Sequence, residues 1–119
     1  MKILVVDDSR LARDMVTHVL TNLVPDASII TATGGEEALD KMPAGETPDA
    51  AILDFNMPGM DGLTLAKHLR VRFPTVRIGI LTANVQDALR QKAASLGCAF
   101  IPKPVTADKI RTFLAHGGE

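Results

Sequence analysis

Residues 50–62 read "AAILDFNMPGMDG", and the fold follows from the change of character inside that stretch. Ala50–Leu53 is wholly apolar rather than alternating, so a strand built from it must be covered on both faces. At Asp54 the run ends in a carboxylate. Asn56, Pro58 and the pair Asp61-Gly62 follow. Pro58 and Gly62 already supply the turn chemistry, and Asp61 reads as the cap of a following helix. Asp54 is left without a structural task, at the tip of a buried strand.

Further apolar runs lie on either side: "ILVV" (3–6), "SIITA" (28–32), "IGIL" (78–81) and "AFI" (99–101). The first of these and "IGIL" are apolar throughout, like 50–53. "SIITA" is mixed and reads as an edge. "CAFIP" reads as the other edge, because Pro102 cannot donate to a ladder. Helical patterns separate the runs. After Ser9, an N-cap, Leu11, Ala12, Met15, Val16, Val19, Leu20 and Leu23 form an i, i+3, i+4 stripe. "GEEALDKM" is a short second helix. Leu65, Ala66, Leu69 and Phe73 stripe a third, stopped by Pro74. Val85, Ala88, Leu89, Ala93 and Leu96 stripe a fourth, closed by Gly97. Ile110, Phe113 and Leu114 stripe a fifth after Thr106. Five strand–helix alternations predict a doubly wound parallel sheet with right-handed crossovers.

The 119 residues suit one domain spanning 1–119. Apolar residues make up 46% of the chain, enough for a core without staples, although it holds four Phe and no Tyr or Trp. The net charge of −1 gives no basic footprint for nucleic acid and no polybasic membrane patch. A single cysteine, Cys98, excludes an internal disulfide and suits a reducing compartment, so a cytoplasmic location is expected. The opening "MKILVV" lacks the length and cleavage site of a signal peptide.

In such a sheet, ligands bind beyond the carboxyl ends of the strands. Those ends are Asp7-Asp8, Asp54, Thr82-Ala83 and Lys103-Pro104. Either member of Asp7-Asp8 alone would pass for an acidic pair at a helix N-terminus. Together with Asp54 they form three carboxylates that repel one another. A hard divalent cation relieves this, and Mg²⁺ (or Mn²⁺) suits a few carboxylates, a carbonyl and waters. Asp8 and Asp54 read as direct ligands, Asn56 through its main-chain carbonyl, and Asp7 through water. A carboxylate beside such a cation is also a nucleophile toward phosphorus. Asp54 is the candidate, since its strand is central and a Pro/Gly loop leaves room for a donor. Lys103 would neutralise charge on the transferred group, and Thr82 would donate a hydrogen bond to it. A cis Lys103-Pro104 bond, accessible at modest cost before proline, would aim the amine at the cluster.

"ILVVDDS", "LDFNMPGMDG", "LTA" and "KP" have the order and spacing of response-regulator receiver domains of two-component signalling, and the resemblance covers nearly the whole chain. It is closest to stand-alone receivers of the chemotaxis Y type. The resemblance implies a flavodoxin-like (βα)5 fold of strand order 2-1-3-4-5. It implies Asp54 as phospho-acceptor from a histidine kinase or phosphotransfer protein, Asp7 and Asp8 as the acidic pair, Thr82 as the switch hydroxyl and Lys103 as the phosphate-contacting amine. Phe100 matches the switch aromatic that swings inward beside the small Ala83. That swing reshapes a face of fourth helix, fifth strand and fifth helix where a downstream protein binds. Asn56 and Asn84 fall where receivers tune dephosphorylation. Monomer and phosphorylation-dependent dimer are both compatible with it. The chain reads as a whole protein or as a piece of a longer regulator or hybrid kinase, with Met1 speaking against an internal excision.

The contrasting reading is a phosphohydrolase with an aspartyl-phosphate intermediate. Such enzymes need a second acid two residues after the nucleophile, and Asn56 cannot act as one. A nucleotide-binding module lacks its G-x-G-x-x-G after the first strand. His18, His68 and His116 have no partner pattern, and Cys98 reads as a small buried hydrophobe.

Overall fold

The structure is a computed structural model and describes residues 1–116. Its elements are β1 (Lys2–Val6), α1 (Arg10–Leu23), β2 (Ser28–Ala32), α2 (Gly35–Lys41), β3 (Ala50–Asp54), α3 (Gly62–Arg72), β4 (Arg77–Thr82), α4 (Asp87–Ser95), β5 (Cys98–Pro102) and α5 (Ala107–His116). The strands form one parallel sheet in the order β2-β1-β3-β4-β5. This is the flavodoxin-like arrangement expected from the sequence. The three continuous apolar runs are the interior strands, and the two mixed ones are the edges.

Side-chain alternation divides the sheet between two helical layers. Leu4, Val6, Leu53 and Ile80 pack with α2, α3 and α4. Ile3, Val5, Ile52 and Ile101 meet Val16 and Leu20 of α1 and Ile110 and Phe113 of α5. Gly79 lets α5 approach this second face: a Cβ there would come within 2.6 Å of Ile101 Cδ1 and 3.1 Å of Phe113 Cε1.

The two expected caps are present: Ser9 Oγ accepts from the Ala12 amide at 3.3 Å and Asp61 Oδ1 from the Thr64 amide at 2.8 Å. Thr106 Oγ1 likewise accepts from the Lys109 amide at 3.2 Å. Gly97 ends α4 at φ +69°, and Cys98 is buried. Two helices differ from their sequence patterns. Leu11 and Met15 are 71% and 48% exposed, because at 100° per residue they lie a quarter turn or more from Val16 and Leu20, the buried line of α1. The fourth helix begins at Asp87, which leaves Val85 outside it and exposed, and Ala88, in its first turn, is exposed as well. Asn84 Oδ1 accepts from the Gln86 amide at 3.0 Å, a side-chain turn that competes with helix and delays its start. Among the described residues no helix is long and apolar enough to cross a membrane.

Candidate functional site

Strand register brings the polar strand ends to one rim. Val6 pairs with Leu53, Asp54 with Leu81, and Thr82 with Pro102. The residues just beyond these positions are therefore neighbours although they lie tens of residues apart in sequence. One carboxylate oxygen from each of Asp7, Asp8 and Asp54 lies within 4.8 Å of the others. Asp7 and Asp54 are only 3% and 4% exposed, while Asp8 faces solvent.

The carboxylates are unequally satisfied. Asp7 Oδ1 accepts from the Ser9 amide at 2.9 Å, but its buried Oδ2 has no hydrogen-bond partner among the described residues. Asp54 Oδ1 lies 2.8 Å from Lys103 Nζ. That ion pair lacks the alignment of a directed hydrogen bond, so the oxygen also remains without one. Burial pushes the Asp7 carboxyl above its ordinary range; the Ser9 amide and Lys103 oppose this, and the charges of Asp54 and Asp8 add to it. For Lys103, burial works against the ammonium. Contact with Asp54, joined by the charges of Asp7 and Asp8, outweighs burial and holds the amine above the usual lysine value.

The basic side of the site hangs on β4. The Lys103 amide donates to Thr82 O at 2.8 Å, and the Lys103-Pro104 bond is cis. Thr82 is buried, and its Oγ1 accepts from the Asn84 amide at 3.0 Å, which leaves the hydroxyl hydrogen to donate. Ala83 is exposed beside it and Asn84 half-buried. On the acidic side, Gly62 packs against the strand end: a Cβ would lie 2.5 Å from Asp54 O. Asn56 is exposed in the loop between. No backbone hydrogen bond among the described residues occupies its carbonyl. Phe100 is half-buried on β5, with Arg90 Cζ of α4 4.4 Å from its ring centroid.

These residues fit a small hard cation. Three carboxylates converge, the donors are all oxygen, and a buried Asp7 oxygen lacks a partner among the described residues. Chemically, the arrangement offers a carboxylate backed by an ammonium and a hydroxyl, open to an incoming phosphoryl group.

Three contributors were not read from the sequence. Arg13 Nη1 donates to Asp7 O at 2.8 Å. Its spacing of four from Ser9, which puts it on the same side of α1, was the available signal. Lys109 Nζ donates to Pro102 O and Pro104 O, both at 2.9 Å. Arg90 covers Phe100. Neither of the last two carries a local motif.

Residues 3–115 match the model of the response regulator receiver domain family. The chain belongs to that family. Receiver domains are the phospho-accepting switches of two-component systems rather than metabolic enzymes. This receiver domain is 30% identical to the chemotaxis protein CheY4 of Vibrio cholerae, with a TM-score of 0.86 over 98% of this chain and 97% of that one. It is also 30% identical to the chain in a CheX–CheY–BeF3–Mg complex from Borrelia burgdorferi, with a TM-score of 0.84 over 94% of this chain and 84% of that one. Among curated relatives, it is 32% identical to the sensor protein TorS of Escherichia coli over 98% of this chain. It is 41% identical to protein-glutamate methylesterase/protein-glutamine glutaminase 3 of Vibrio cholerae over 87%. The receiver domain spans only 13% and 29% of those two relatives.

Proposed function

We propose that Asp54 accepts a phosphoryl group from the phosphohistidine of a histidine kinase or phosphotransfer protein, and that the phosphorylated domain signals through contact with a downstream protein. One observation carries this reading: a buried carboxylate at the end of a central strand, ion-paired to Lys103 and crowded by Asp7 and Asp8.

Asp8, Asp54 and the Asn56 carbonyl would hold Mg²⁺ or Mn²⁺, with Asp7 acting through water. When bound, the ion supplies positive charge that lets the carboxylates share the pocket and offsets charge on the phosphoryl oxygens. An Asp54 oxygen attacks phosphorus, and the new O–P bond forms as the P–N bond breaks. The electron pair of that bond returns to the imidazole, which leaves neutral with its proton on the other ring nitrogen. Lys103 donates to one phosphoryl oxygen and Thr82 to another. In hydrolysis, water attacks the same phosphorus, the bond to Asp54 breaks, and inorganic phosphate leaves as a proton passes to solvent. Asn56 and Asn84 flank the water's path and tune this rate.

As Thr82 turns toward the phosphoryl group, Phe100 moves inward beside Ala83. This is a population shift between two packings of α4, β5 and α5. A phenylalanine has no hydroxyl to add a hydrogen bond in the inward state. Residues 1–119 act as one receiver domain, in the cytoplasm, as a monomer or a phosphorylation-dependent dimer, without contact to nucleic acid or membrane.

The test is incubation with Mg²⁺ and acetyl phosphate. A single acyl phosphate on Asp54, absent from Asp54→Asn, is expected. Repeated turnover of phosphate esters would instead make the chain a phosphohydrolase.

A further inference from the structure

Lys103 does its work from an awkward piece of backbone. Its neighbours Pro102 and Pro104 have no amide hydrogen, so the Lys103 N–H is the one main-chain donor in the tripeptide, and it is bonded to Thr82 O at 2.8 Å. β5 is an edge strand, so no strand among the described residues lies on its outer side. The carbonyls on either side of Lys103 are instead taken by one ammonium: Lys109 Nζ bonds Pro102 O and Pro104 O, both at 2.9 Å.

The placement of Lys109 is otherwise unfavourable. It lies in the first turn of α5, where the helix dipole disfavours a cation, and no acid among the described residues pairs with it. The root of the side chain is nevertheless firm. Its amide is bonded to Thr106 Oγ1, and the next residue, Ile110, is fully buried beneath the sheet, as is Phe113 at 3% exposure.

We infer that Lys109 is a positioning residue: by clamping the carbonyls on both sides of Lys103, it ties the segment to α5 and fixes where the Lys103 ammonium stands relative to Asp54. The inference rests on the phospho-acceptor reading above. Lys103 has a flexible four-carbon stem, so its aim is set by where its backbone is held. A loosened segment lowers the transfer rate without weakening association with a small donor, because a misplaced catalytic group costs rate steeply.

The test measures acyl phosphate formation on the full chain, with Mg²⁺ and varied acetyl phosphate, by phosphate-affinity electrophoresis. Lys109→Met should lower the maximal rate on the order of tenfold while the half-saturating donor concentration stays within about twofold. Lys109→Arg, whose guanidinium can reach both carbonyls, should return the rate to within about twofold of wild type. Arg111→Ala on the same helix should match wild type, and thermal unfolding of each variant reports stability separately. Should Lys109→Met not fold, Lys109→Gln takes its place with the same expectation. The inference is overturned by an unchanged rate, by failure of Lys109→Arg to restore it, or by a rate loss that Arg111→Ala reproduces. If wild type itself takes no phosphoryl group on Asp54, it is the phospho-acceptor reading that fails.

Discussion

Lys103 Nζ reaches Asp54 Oδ1 at 2.8 Å although their strands are not neighbours. β4 lies between β3 and β5, and the pair closes over its end, just beyond the register positions Asp54–Leu81 and Thr82–Pro102. The contact joins an acid that is 4% exposed to an amine whose side chain is 37% exposed. Under the proposed phosphoryl transfer, the ammonium would stand on the solvent side of the acid, in place for the charge of an incoming group.

Lys103→Met removes that charge. The rate of phosphoryl uptake by Asp54 should fall about 10²-fold, comparable to losing one oxyanion donor elsewhere. Quantified acyl phosphate at saturating acetyl phosphate is the measurement, and a rate within about twofold of wild type would count against the role.

Asp7 sets a pH dependence in metal-free protein. Its folded carboxyl binds a proton more tightly than an unfolded one, chiefly through burial. Its contribution to stability is thus fully present below the ordinary value of 3.8 and lost as pH rises through the raised folded value. At neutral pH the buried charge destabilises the fold. Asp7→Asn keeps the acceptor for the Ser9 amide and removes the charge, so in EDTA it should melt higher than wild type at pH 7. That advantage should disappear toward pH 3. Added Mg²⁺ should raise the melting point of wild type more than that of the variant. Melting curves across pH, with and without Mg²⁺, check all three.

Gly62→Ala places a Cβ 2.5 Å from Asp54 O and 3.0 Å from Phe55 Cα, both backbone atoms. The loop must back away from the strand end. We expect a loss of about 1–3 kcal/mol in urea unfolding, the usual range for an added methyl in a tight site. Phosphoryl uptake should slow in the same variant, because the displaced atoms belong to Asp54, the proposed acceptor.

Arg90 lies over the ring of Phe100, and under the switch reading proposed above this contact would favour the ring position seen here. A cation–π contact at an exposed site is worth about 0.5–1 kcal/mol, so Arg90→Ala should shift the ring inward by roughly two- to fivefold in population. A ¹⁹F label on the ring reads this directly, before and after phosphorylation. An unchanged spectrum in both states would remove Arg90 from the switch.

Most of the architecture was legible from local pattern. Interior strands must be apolar on both faces, so "ILVV", "AAIL" and "IGIL" declared themselves, as did the caps Ser9 and Asp61. The exposed flank of α1 did not. Leu11 and Met15 satisfy helical periodicity, but the sheet covers only part of the helix surface. The late start of α4 was hidden as well, because the Asn84–Gln86 turn competes with helix over residues whose pattern alone reads as helical.

The sequence by itself determined which residue types stand at each strand end, since alternation and turn chemistry act over a few residues: Asp7, Asp8, Asp54, Thr82 and Lys103 were all nameable from it. Tertiary structure alone decided their distances and their unequal satisfaction. Register brings Lys103 across β4 to Asp54 and leaves one Asp7 oxygen buried without a partner among the described residues, and helix docking brings Arg13, Arg90 and Lys109 back onto carbonyls and a ring five to ten residues away in sequence. Those contacts depend on strand order and helix docking, and long side chains reaching carbonyls and rings leave no periodic trace along the chain.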